Sequence, residues 1–295
     1  MEVSPLSIQK YRALLTVIEQ KSLTKAAKIL GYTQPGISLM ISSLEQDFGF
    51  PLLVRTKDGI FPTENAQYLQ NFIQQIISLE NSLEEATYRL KGLEIGELRI
   101  GALPSVCSQW LPEIINRFLT KHPNIDLKIF EGVYGTILED LLKGEIDIAF
   151  VSTPVPENFD FIALWTDPIL AVLSRDNPLS QQKRIDLKDL IKFPFLVPNS
   201  GGDECVQYVL KSENVTANIR FRIKGDVATI AMIERGLGVS LIPKLAITAH
   251  SRNVVTRPLK GNYMRTIGIC IRSLKYASPL GLAFIQEAKD FISAM

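Results

Sequence analysis

The chain has 295 residues, 46% of them hydrophobic and 21% charged, an ordinary globular composition that is too long for one small core and predicts two to three folding units. Its 32 basic and 31 acidic side chains leave a net charge of +1, which excludes a polybasic coat, so any nucleic-acid contact must rest on a local surface. No apolar run reaches bilayer length and the N-terminus lacks the order of a secretory signal, so a cytoplasmic chain is expected; Cys107, Cys205, Cys270, His122 and His250 are too scattered for a disulfide framework or a metal site, and no cofactor is expected.

Taken in chain order, residues 6 to 20 place Leu14, Leu15 and Ile18 at helical spacing and predict a first helix. The stretch Leu23 to Ser42 then holds two short helical patterns that meet at Gly31 and Tyr32. Ala26, Ala27 and Leu30 share one face, and Ile37, Ile41, Leu44 and Phe48 resume the pattern at spacings of four, three and four. Thr33 stands where an N-cap belongs, with Pro35 in the first turn. This is how a helix-turn-helix reads in sequence. The face of the second helix left free carries Gln34, Ser38, Leu39 and Ser42, short or amide-bearing groups for base edges and phosphates, and Thr24, Thr33 and Pro35 near the helix starts join them as expected DNA contacts. After Phe48, apolar and polar residues alternate around Asp58-Gly59, which predicts a hairpin, hence a wing. Arg55 and Lys57 fall on that wing, within reach of a phosphate or the minor groove. Residues 1 to 63 hold seven Lys or Arg against five acids, a modest local excess that a dimer doubles.

The run AAKILGYTQPGISLMISSLEQDFGFPLLVRT resembles the N-terminal domain of LysR-type transcriptional regulators. Ala26, Ala27, Leu30, Gln34, Pro35, Ser38, Leu44, Glu45, Gly49, Leu52 and Arg55 fill the family's pattern in register. Three departures stand out. Leu39 sits where the family often has Arg, Gly36 replaces a more usual Ala, and Pro62-Thr63-Glu64-Asn65-Ala66 differs from the family's Leu-Thr-x-Ala-Gly.

Residues 64 to 91 contain no Gly or Pro and predict one long helix. Leu69, Ile73, Ile76, Leu83 and Leu90 follow a four-three heptad interrupted by Glu80 and Thr87, which predicts pairing between chains; a helix packed on its own domain is the alternative. The resemblance implies that this helix links the domains and makes the dimer.

Beyond Gly96, short β-rich runs alternate with helical patterns. ELRIGAL, a helix from about Gln109 to Lys121, IDLKIFEG, a helix near Thr136 to Lys143 and IDIAFVS predict a parallel sheet covered on both faces. A second set runs through PILAVLS, PFLVP, IRFRIK and GVSLIP, with helices near Leu187, Glu204 to Lys211 and Asp226 to Arg235. TIGICIR and a helix from Pro279 to Ser293 close the chain, with crossings expected near Leu164 to Trp165 and Thr266 to Gly268. These segments are similar to the family's effector-binding domain, which implies the fold of periplasmic solute-binding proteins. The expected architecture is α/β with an N-terminal all-α winged helix-turn-helix (1–63), a linker dimerisation helix (64–92) and an effector domain (93–295). Two Rossmann-like subdomains make up that effector domain, I at about 93–164 and 267–295 and II at about 165–266.

Ligands of open α/β sheets bind beyond the carboxyl ends of strands, often at helix N-termini. That rule selects Pro104, Ser105 and Val106, then Ser152 and Thr153, then Asn199, Ser200, Gly201 and Gly202, whose hydroxyls and amides suit a small carboxylate or oxyanion. The resemblance ranks Ser105 first. No nucleophile-base pairing, metal spacing or phosphate loop is found, so an enzyme is not expected. The expected partners are promoter DNA, a small effector, further copies of the chain as dimer or tetramer, and RNA polymerase, with no membrane. Two alternatives stay open: a solute-binding module whose N-terminal helices only dimerise, and a redox sensor using Cys107 and Cys205.

Overall fold

A computed structural model describes residues 7–90, 95–198, 203–247 and 253–295. The chain forms two compact units, Met1–Gly92 with Leu142–Gly144, and Leu93–Leu141 with Glu145–Met295. No helix among the described residues is long and apolar enough to cross a membrane.

The first unit begins with α1 (Ile8–Gln20), α2 (Leu23–Leu30) and α3 (Gln34–Phe48). Its core gathers Leu14, Val17, Ala26, Ile37, Ile41 and Leu44. Local chemistry sets the helix ends. The Ser22 hydroxyl accepts from Lys25 N–H, and the Thr33 hydroxyl from Gly36 N–H. Gly31 and Gly49 take left-handed conformations at the C-caps, where side chains other than glycine or asparagine are disfavoured. The wing is β1 (Leu53–Thr56) paired antiparallel with β2 (Gly59–Pro62). Thr56 faces Gly59, so the turn residues are Lys57-Asp58, one position before the expected Asp58-Gly59. A further constraint explains the glycine. Gly59 has φ +129°, and a Cβ there would lie 3.0 Å from the Lys21 carbonyl, which accepts from Ile60 N–H. Glu45 fastens the entry to the wing, its Oε1 accepting from the amides of Leu52 at 2.7 Å and Leu53 at 3.2 Å. At the exit, Thr63 Oγ1 accepts from Ala66 N–H and so caps α4 (Glu64–Leu90).

The heptad reading of α4 divides in two. Ala66 and Ile73 are buried, and Leu69 and Ile77 are half-buried against the helix-turn-helix core of the same chain. Glu80, expected as a polar interruption in the seam, is ion-paired to Arg12 of α1 at 2.9 Å. The exposed apolar stripe is the adjacent one: Tyr68, Phe72, Ile76, Leu79 and Leu83. Leu69 and Ile73 thus pack on the core of their own chain, because α4 must first cover the open side of a small three-helix bundle.

The second unit starts with β3 (Gly96–Ala102), α5 (Pro104–Gln109), α6 (Leu111–Lys121), β4 (Ile125–Glu131), α7 (Tyr134–Lys143) and β5 (Ile148–Ser152). The helix expected from about Gln109 to Lys121 is α6, and a separate short helix, α5, precedes it and ends before Trp110. β3 pairs in parallel with both β4 and β5. The next strand, β6 (Asp160–Ser174), is 15 residues long, twice the expected PILAVLS. After it come α8 (Leu187–Leu190), β7 (Phe195–Pro198), α9 (Asp203–Ser212), β8 (Ile219–Ile223), α10 (Asp226–Glu234) and β9 (Ser240–Pro243). β10 (Val254–Pro258), not foreseen from sequence, precedes β11 (Met264–Ile271) and α11 (Pro279–Ser293).

The larger sheet is mixed, not purely parallel, whereas β7 and β8 pair in parallel as a separate sheet. β11 runs antiparallel to β5 and β6, and β6 runs antiparallel to β9 and β10. The first half of β6 lies beside β11 and the second half beside β9 and β10, so one strand passes through both halves of the unit. Its partner β11 carries a register shift between Ile267 and Gly268, inside the expected crossing. Alternation divides the second half into two cores. Ile169, Ala171, Phe195, Val197 and Leu241 pack on one side, and Val172, Leu196, Ile230, Ile233 and Ile242 on the other. In the first half the core centres on Trp110, Phe118, Phe150 and Phe284, whose rings Phe118 and Phe284 meet edge on at 5.0 Å.

Candidate nucleic-acid interface and ligand cleft

In the first unit, burying Ile37, Ile41 and Leu44 turns the opposite face of α3 to solvent. Gln34, Pro35, Leu39 and Ser42 are exposed, Leu39 by 73%, and Ser38 is half-buried. Thr33 and Thr24 are exposed near the helix starts, and Arg55 and Lys57 are exposed on the wing. All nine residues expected to meet DNA therefore offer surface on one unit. Lys10, a cation on α1, is instead held at 2.8 Å by Asp47 and donates to Ser43 Oγ.

In the second unit the loops after β3 and β5 converge on β11. Ser105 is 5% exposed, and its Oγ accepts from Arg265 Nη2 at 3.2 Å. Thr153 is exposed, and its amide donates to the Thr266 carbonyl, one residue along β11 from Arg265. Ser152 is buried at the end of β5. Pro104 is half-buried at the start of α5. Val106 is a correction: its side chain is fully buried in the core and its amide donates to the Leu103 carbonyl, so it offers a ligand neither surface nor donor. Asn199, Ser200, Gly201 and Gly202 lie outside the described residues.

Arg265 is the group that sequence reading missed. It faces Asp167 across the β6–β11 pair, and its Nε and Nη2 meet Asp167 Oδ2 at 2.9 and 2.8 Å. Asp167 is 1% exposed, and its second oxygen accepts from Leu245 N–H at 3.0 Å. Asp226, the first residue of α10, lies within electrostatic reach of the same guanidinium, and burial pushes its carboxyl up from the usual range. These partners stand 39 to 160 positions from Arg265, as in its pairings with Asp226 and Ser105, and no periodicity marks them. A shallow groove of about 380 Å³ opens beside the crossing strands, lined by Ala163, Leu164, Trp165, Thr166 and Thr266. It meets the bonded network at Thr266, whose carbonyl accepts from Thr153 N–H.

Of the two cysteines in the redox alternative, Cys107 is described, and its thiol resists ionisation. Burial, then the Glu131 charge, pushes the Cys107 thiol up to about 11, and burial pushes Cys270 up to about 12. Cys270 is fully buried in its strand, as expected. The side chain of Cys205 lies outside the described residues. Among the described residues no group of three or more His, Cys, Asp or Glu converges as a metal site.

Two family models cover the chain: bacterial regulatory helix-turn-helix protein, lysR family, over residues 8–67, and LysR substrate binding domain over residues 91–293. The chain therefore belongs to the LysR family of transcriptional regulators, with a helix-turn-helix domain and an effector-binding domain. Among its relatives, the uncharacterized HTH-type transcriptional regulator YvbU of Bacillus subtilis is 28% identical over 98% of this chain and 100% of that one. The Hca operon transcriptional activator HcaR of Escherichia coli is 29% identical over 87% of this chain and 88% of that one. A full-length OxyR variant from Pseudomonas aeruginosa shares the fold with a TM-score of 0.78 at 22% identity, covering 98% of this chain and 95% of that one. Full-length CbnR, captured with its target DNA, does so with a TM-score of 0.62 at 21% identity, covering 97% and 99%.

Proposed function

We propose that this regulator reads an operator with the exposed face of α3, holds the flanking backbone with Arg55 and Lys57 of the wing, and responds to a small carboxylate or oxyanion bound beside Ser105 and Thr153. The observation that carries the DNA half is the division of α3 into a buried apolar face and an exposed face of Gln34, Ser38 and Ser42, with two exposed cations on the adjoining wing. Gln34 supplies an amide able to bond an adenine edge, and Leu39 supplies apolar contact where a charge would bind a phosphate. Specificity then depends on two heads used together. The stripe Tyr68, Phe72, Ile76, Leu79 and Leu83 on α4 is the surface that a second copy covers. Effector binding biases the arrangement of the two halves joined by β6 and β11, and the dimer passes that bias to the spacing of the heads. The role is regulatory and not catalytic, and RNA polymerase is a further partner at the promoter.

The test is fluorescence anisotropy on a footprinted operator across a salt series. Gln34→Ala is expected to lose about 1–3 kcal/mol of discrimination between operator and scrambled DNA. Arg55→Ala and Lys57→Ala are each expected to weaken binding to both DNAs and to lower the salt slope by about one. Unchanged operator binding in Gln34→Ala would reject this choice of reading face.

A further inference from the structure

We propose that Lys21 is a positioning residue for DNA binding, holding the wing in place from the junction of α1 and α2; this rests on the wing reading above and deepens it. Among the described residues only two other than glycine take a positive φ, Lys21 at 52° and Asn214 at 51°. Asparagine tolerates the left-handed region through its short polar side chain, whereas lysine there carries a steric cost that glycine avoids. Lys21 is the C-cap of α1, a place where glycine is the ordinary choice. A side chain that strains the backbone at a cap points to a contact that the side chain makes.

The contacts of Lys21 all fall on the wing. Its carbonyl accepts from Ile60 N–H at 3.0 Å, its Nζ lies 5.2 Å from the centre of the Phe61 ring, and its Cβ is 3.2 Å from the place that a Cβ on Gly59 would occupy. Gly59, Ile60 and Phe61 are consecutive in β2, so backbone and side chain together grip one end of the hairpin. Across that hairpin Ile60 faces Arg55, and Gly59 faces Thr56 next to Lys57. Lys21 therefore places, through β2, the strand and turn that carry the two wing cations. Its own charge is left for this task. Lys10 and Arg12 of α1 are held by Asp47 and Glu80, whereas Lys21 ion-pairs with no acid among the described residues and meets the Phe61 ring instead. Any residue at this position could supply the carbonyl, but the ring contact needs a cation, so the side chain carries the role.

The experiment measures binding to operator and scrambled DNA by fluorescence anisotropy across a salt series, with thermal unfolding of the same full-length variants. Lys21→Met keeps the length and the left-handed backbone and removes the cation. It is expected to weaken binding to both DNAs about two- to fivefold, the size of one exposed cation–π contact, with the salt slope unchanged because the wing makes the same phosphate contacts once bound. Lys21→Arg is expected to recover the binding that Lys21→Met loses. In a Phe61→Leu background, Lys21→Met is expected to add no further loss. Lys21→Gly relieves the backbone and is expected to unfold at a higher temperature than Lys21→Met while binding DNA no more tightly, a split that a purely structural role does not produce. If Lys21→Met lowers the salt slope by about one in both backgrounds, Lys21 touches a phosphate itself and the positioning role is overturned. If Lys21→Met or Lys21→Gly binds DNA as tightly as the native chain, the role is overturned as well. Arg55→Ala and Lys57→Ala separate the two readings: losses in these with none in Lys21→Met reject the positioning role alone, and no loss in any of the three rejects the wing reading with it.

Discussion

Single residues in this regulator carry tasks that their types alone do not disclose. Gly59 is needed less for the hairpin turn, which Lys57 and Asp58 form, than for the close passage of the wing beneath the Lys21 carbonyl. Gly59→Ala is therefore expected to cost about 1–3 kcal/mol, from a positive φ and a crowded Cβ together, read as a lower urea midpoint of the first unit. Glu45 belongs to the Leu-Glu pair of the family pattern, and its reason is now physical: one carboxylate oxygen satisfies two amides at the entry to β1. Cys107 gives a third case. With its thiol pushed up to about 11, roughly one side chain in a thousand is ionised at pH 8. Iodoacetamide labelling of Cys107, followed by peptide mass spectrometry, is expected to run about 100-fold slower than that of a free thiol at this pH and to accelerate up to about pH 11. Fast labelling at pH 7 would restore the redox reading.

Among the elements, α4 shows why a periodic pattern does not choose its own partner. A helix of 27 residues with apolar side chains on more than one stripe buries one against its own bundle and leaves the next outside. The two stripes predict opposite phenotypes. Ile73→Ala is expected to destabilise the first unit by about 2–5 kcal/mol, since a fully packed side chain is removed from its core. Leu79→Arg and Leu83→Arg, on exposed positions, are expected to leave thermal unfolding of the unit near that of the native chain while dissociating the dimer in sedimentation velocity. A monomeric Ile73→Ala with normal stability would reverse the assignment of the stripes.

At the level of the whole molecule, distant segments are tied by one polar chain through the second unit. Leu245, Asp167, Arg265 and Ser105 are joined in sequence by bonds that link a turn after β9, both crossing strands and α5. The ion pair at its centre is nearly dry, and removing one partner leaves the other charge buried. Asp167→Ala is accordingly expected to lower the stability of this unit by about 3–5 kcal/mol in urea unfolding. The continuous β6 has a related consequence. One strand serves both halves, and its pairing with β11 is irregular at Ile267–Gly268, the point where a bulge lets paired strands bend.

Much of this organisation was legible in the amino-acid order. The caps at Thr33 and Gly31, the apolar periods of α1 to α3, the wing and the βα alternation are local signals, each written within a few residues of the structure it forms. The exposed face of α3 followed from the same periods, since burying one side of the helix frees the other. What sequence order could not supply were choices among equally periodic or equally polar neighbours. Which stripe of α4 turns inward, whether β11 runs parallel or antiparallel, and that Val106 is core while Ser105 meets Arg265 depend on contacts between segments up to 160 positions apart. Local propensity carries no record of such partners. Packing and the requirement that buried charges be paired decide them only once the chain has closed on itself.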